Sequence, residues 1–96
     1  SIRVRYRFSA AVDMTQVMDT YRLALLAGEG AFGTARMEIG VVMREHLEKR
    51  YCDVEAEPDI GRMLHGVFLT YLRANLGQDA VRVSWMRRQA GNGGVS

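Results

Sequence analysis

Gly28-x-Gly30-x-x-Gly33, followed at once by Thr34, is the spacing in this sequence that most resembles working chemistry. Glycines let a backbone come close to a phosphate, and a helix starting at Thr34 would present free N–H groups and a positive dipole end. One expectation is therefore a nucleotide- or phosphate-binding loop using Gly28, Gly30, Gly33 and Thr34. The commoner use of such a segment is a tightly turned connection between two helices, and that reading is favoured. A second pattern is Arg3, Arg5 and Arg7, which project to one side of a strand about 7 Å apart. Arg82 joins them if the two ends of the chain pair. Such a row suits bidentate phosphate contacts, so nucleic-acid binding through Arg3, Arg5, Arg7 and Arg82 is a further expectation. It is not the favoured one. Exposed strand faces are commonly charged, and this face has little aromatic interleaving for base stacking.

Other reactive side chains are scattered. His46, Cys52 and His65 are the soft metal-ligand candidates, and they lack the paired spacing that a zinc site requires. His65 lies on the rim of an apolar helical stripe, where a hydrogen-bonded packing histidine is expected. Cys52 has Asp53, Glu55 and Glu57 nearby, which would raise its pKa and blunt the thiolate. Ser9 and Ser84 sit in strand patterns with no evident base. No catalytic residues, metal or cofactor are expected, and the balance is against an enzyme.

Three segments resemble known families. Gly28-Glu29-Gly30-Ala31-Phe32-Gly33 looks like the glycine-rich loop that covers nucleotide phosphates in protein kinases. The strand lysine, the H-R-D loop and the D-F-G segment of that signature have no counterpart here. The same glycines resemble the dinucleotide-binding fingerprint. That resemblance implies a strand at residues 21–27 and a ribose-binding carboxylate at Glu55 or Glu57. Tyr6-Arg7-Phe8-Ser9-Ala10-Ala11 is similar to the first strand of 6-pyruvoyl-tetrahydropterin synthases. Val12 stands where that family's strand leads to a zinc-binding histidine, so the resemblance implies a catalytically silent relative.

The elements that must position these residues follow from periodicity. Ile2 to Phe8 alternates strictly and predicts a strand with one apolar and one arginine face. Asp13 with Gln16 forms a capping-box pattern, and Met14, Val17, Met18, Tyr21, Ala24 and Leu25 follow at helical spacing to a stop at Gly28. Residues 21–27 are also apolar enough for a buried strand, and helix is favoured because cap, period and stop agree. Thr34 can cap a second helix to about residue 51, with Ala35, Ile39, Val42, Met43 and Leu47 inward. Residues 52–57 read as an acidic linker or a short alternating strand. Pro58 suits a third helix's first turn; Ile60, Leu64, Val67, Phe68, Tyr71, Leu72 and Leu76 make its stripe, and Gly77 ends it. Val81, Val83 and Trp85 alternate with Arg82, Ser84 and Met86 in a last strand. The six methionines are expected as adaptable core or interface fillers.

The expected fold class is α+β. Strands 2–10 and 80–88 pack on helices at about 13–28, 34–51 and 58–76, in the order β-α-α-α-β. The alternatives are β-β-α-α-β or a βαβ-containing α/β chain if 21–27 is a strand. Residues 1–88 form one domain and 89–96 a flexible tail. A hydrophobic content of 48% and a charged content of 25% are those of a globular chain rather than a disordered one. No apolar run approaches the length needed to cross a bilayer, so no membrane is expected as a partner. One cysteine favours a reducing cytoplasm over a disulfide-built secreted domain. Both ends of the chain carry arginines and no acid, whereas all eleven acids lie between them. Two terminal strands alone make a weak sheet with unpaired edges. The leading expectation is therefore a non-enzymatic homo-oligomerising or protein-interaction domain.

Overall fold

The computed structural model describes residues 1–87. Strand β1 spans Ile2–Phe8, helix α1 Met14–Phe32 and helix α2 Thr34–Gly40. Strands β2 (Val41–His46) and β3 (Tyr51–Ala56) follow, then helix α3 (Pro58–Leu76) and strand β4 (Val81–Arg87). Short 3-10 turns at Leu47–Lys49 and Gln78–Ala80 precede β3 and β4. The four strands form one antiparallel sheet in the order β2-β3-β1-β4. Leaving aside the short α2, this is the split-βαβ, or ferredoxin-like, topology, in which β3 lies between β1 and β2.

The α+β class, the three helices and the pairing of the terminal strands in one sheet agree with the sequence reading. Residues 21–27 are helical, so the strand on which the dinucleotide resemblance depended is absent. Asp13 caps α1, its carboxylate accepting the Thr15 N–H at 2.9 Å. Pro58 occupies the first turn of α3, and Gly77 ends that helix at φ +101°. Every fourth residue of α3, from Ile60 through Leu64 and Phe68 to Leu72, is fully buried. Against them lie Val17, Tyr21 and Ala24 of α1 and Val4, Tyr6 and Val54 of the sheet. The Phe68 ring meets Tyr6 edge-on at 4.8 Å and Tyr21 at 5.3 Å. Each large apolar side chain buried in this way contributes roughly 1.5–3 kcal/mol.

Two boundaries differ from expectation. The helix expected over 34–51 ends at Gly40, and residues 41–46 form β2. Its expected inward stripe dissolves accordingly: Ile39 is 82% exposed, and Val42 and Leu47 also face solvent. Val41, Val42 and Met43 fit a strand as well as a helix, and β3 supplies the neighbour that decides between them. The alternating strand that was the second option for residues 52–57 is β3 itself. The sheet therefore has four strands rather than two. The second correction concerns α1, which continues past Gly28 to Phe32. The expected tail at 89–96, and Arg88 at the end of the last strand, lie outside the described residues. Among the described residues no helix is long and apolar enough to cross a membrane.

Candidate functional site

All three helices lie on one side of the sheet, facing the apolar row Ile2, Val4, Tyr6 and Phe8 of β1. Among the described residues no helix covers the opposite face. Strand register places Arg3, Arg5 and Arg7 of β1 there, beside Tyr51, Asp53 and Glu55 of β3 and Arg82, Ser84 and Met86 of β4. Val42, Arg44 and His46 of β2 complete the face.

This arrangement brings the four arginines singled out from sequence onto one surface and divides them into two pairs. Arg5 donates Nε and Nη2 to the two oxygens of Asp53 at 2.7 and 2.9 Å, and Arg3 Nη2 reaches the same carboxylate at 2.9 Å. Asp53 is only 2% exposed, so its charge survives burial because two guanidinium groups replace water. Those hydrogen bonds, Arg5 first, hold its carboxyl below the usual range. Arg7 and Arg82 differ. They stand directly opposite one another, and no ion pair joins either to a carboxylate among the described residues. Like charges facing across an antiparallel pair repel.

Tyr51 sits between these pairs, half-buried at the start of β3. Arg5 lies 4.2 Å and Arg7 5.4 Å from its ring centroid, and the His46 imidazole stacks on it at 4.5 Å. Neither Tyr51 nor His46 was identified from sequence as part of this face. The signal available was the alternation of 51, 53 and 55, but it needed the register to connect it to β1.

The glycine segment forms no loop. Gly28 and Gly30 lie inside α1, where their backbone groups belong to the helix. Gly28 is buried against the side chain of Met37, the close approach for which a side chain is absent. Gly33 alone makes the turn, at φ +88°. Thr34 begins α2 without capping it, and α2 has only seven residues. The expectation of a glycine-rich loop at a helix N-terminus is corrected on that geometry, because uninterrupted helical pairing through Phe32 outweighs the low helix propensity of two glycines.

His65 and Cys52 both belong to the core. Tyr6, whose hydroxyl burial keeps protonated, is hydrogen-bonded to His65 Nδ1. Burial lowers the His65 pKa to about 4, and its ring meets Trp85 edge-on at 5.4 Å. Burial likewise pushes the Cys52 thiol up to about 12, with the Asp53 and Glu45 charges adding to it. His46 faces away from both, on the bare side. Among the described residues no cluster of three or more ligating side chains is assembled. A shallow groove of about 400 Å³, lined by Ser1, Ile2, Arg3, Trp85 and Met86, opens where β1 begins and β4 ends.

The chain matches no known protein family, no curated protein and no solved structure.

Proposed function

We propose that this chain is a non-enzymatic interaction domain that self-associates. One observation carries the reading. Helices cover one face of the sheet, while β2 and β4 each keep an edge with no neighbouring strand among the described residues, and Trp85 on β4 is 62% exposed. An unpaired edge beside a large exposed aromatic favours pairing with another chain. A reducing, cytoplasmic setting fits the single cysteine, which is buried and unpaired. Sedimentation velocity across the micromolar range tests this. A weight-average mass that climbs with concentration is expected, and a constant monomer mass overturns the reading.

A second reading rests on a separate observation, the facing of Arg7 and Arg82 beside Tyr51. Two facing guanidinium groups with no carboxylate bridging them among the described residues suit a phosphate, and an adjacent aromatic suits a base. Nucleic acid is the ligand this reading names. Retention on single-stranded RNA that falls steeply with salt is expected, and Arg7→Glu should abolish it. Unchanged retention of that variant removes the bare face as the site.

A further inference from the structure

We propose that β4 pairs antiparallel with β4 of a second copy about a twofold axis through Ser84, joining two sheets into one of eight strands. The inference rests on the self-association reading and specifies its surface. Among the described residues β4 is hydrogen-bonded along one edge only, to β1, with partners from Val81↔Phe8 to Arg87↔Ile2. Pairing about Ser84 uses all seven residues of β4. It also keeps each residue opposite one of its own face, so that both copies hold their helices on the same side.

The register is chemically self-consistent. On the helix side, Val83 meets the second copy's Trp85 and Trp85 meets the second copy's Val83, two pairings of an aromatic with a β-branched residue. On the bare side Arg82 faces the second copy's Met86, so no two arginines stand opposite each other across the new seam. Val4, directly opposite Trp85 on β1, is fully buried. The indole therefore has one flank on the domain and the other over the strand edge, where the second copy's Val83 would cover it.

The other edge does not offer this. β2 has six residues, and Arg44, Glu45 and His46 are all exposed on it. Pairing β2 with itself about Met43 sets Val41 against Glu45, and pairing about Arg44 sets arginine against arginine. Charged residues of this kind keep an edge strand from adding a neighbour. An interface of one strand edge is small, so the dissociation constant should lie in the micromolar range.

The experiment uses the full chain carrying Ser84→Cys, with Val42→Cys on β2 as the comparison, under oxidised glutathione. Residues facing across an antiparallel pair have Cα atoms about 4.5–5.5 Å apart, within the span a disulfide bridges. Buried Cys52 does not compete. The expected result is a Ser84→Cys cross-linked dimer forming at least tenfold faster than the Val42→Cys one. Emission from Trp85, the only tryptophan, should also move to shorter wavelength as the wild-type concentration rises. Dimers in sedimentation with no preference for Ser84→Cys and an unmoved Trp85 emission would overturn the β4 seam and leave self-association standing. A monomer at every concentration would remove both.

Discussion

Asp53 receives both Nε and Nη2 of Arg5, at 2.7 and 2.9 Å, on the face of the sheet that no helix covers. A carboxylate 2% exposed on a sheet face without helices is held there by Arg3 and Arg5. The arginine row of β1 is therefore partly an internal counter-charge, and the surface it offers is smaller than four arginines suggest.

Asp53→Asn should destabilise the fold by about 2–4 kcal/mol, because it leaves two guanidinium groups without the charge that offsets their partial burial. Both can turn outward to water, which keeps the loss below that of a fully interior pair. Urea titration measures it. If the bare face binds polyanions, the same variant should hold RNA more tightly than wild type, since Arg3 and Arg5 are released. Weaker binding would contradict the division of the four arginines into a pair held by Asp53 and an exposed pair.

Arg82→Glu should stabilise the domain by roughly 0.2–1 kcal/mol, replacing facing like charges with an opposite-charge pair on Arg7. RNA retention should fall in the same protein. A melting temperature that drops would show that Arg7 and Arg82 are not in unrelieved opposition.

Acid should act in two stages. The folded chain holds His65 neutral down to about pH 4, whereas the unfolded chain takes up a proton near the ordinary value of 6.5. Stability is therefore lost as pH falls from 6.5 toward 4, by about 3 kcal/mol in all. Asp53 acts in the same direction at lower pH. Its contribution is present above the ordinary carboxylate range and disappears only as pH falls through its lowered folded value. Denaturant midpoints in a pH series check both stages. His65→Leu, less stable overall, should lose the slope between 4 and 6.5 and keep the lower one.

Gly30→Ala should raise stability by about 0.5–1 kcal/mol, since the site is helical and nothing lies within 4 Å of the added methyl. Gly33→Ala should lower it by about 1–3 kcal/mol, because φ +88° with ψ 152° is a conformation that essentially only glycine adopts. Thermal melts of the two variants distinguish a helix ending in one turn from a phosphate loop, in which both glycines would be needed for close approach.

Arg50→Ala should cost about 1.5–3 kcal/mol. Its guanidinium, on a residue at φ +61°, donates to the backbone carbonyls of Ser9 and Val12 and ties the β2–β3 turn to the loop that follows β1. Chemical denaturation reads the loss, and a change within error would show that the clasp is replaced by water.

Much of the framework was legible because its signals are local. The alternation of Ile2 to Phe8, the Asp13 cap, and the stripe from Pro58 to Gly77 each report on backbone geometry within a few residues. They were enough to establish the terminal strands, two of the helices and the side to which Arg3, Arg5, Arg7 and Arg82 point. Residues 41–46 were not legible in the same way. Val41, Val42 and Met43 satisfy a helical and a strand period alike over so short a run, and only hydrogen bonds to β3 choose between them. The glycines at 28 and 30 read as a loop by type and proved helical, because packing against Met37 gives a missing side chain at Gly28 a use that spacing does not reveal. Asp53 depended most on the tertiary structure. Its charge, its burial and its hold on Arg3 and Arg5 arise from strands nearly fifty residues apart in the chain, and an electrostatic contact exists only once the register has set its distance.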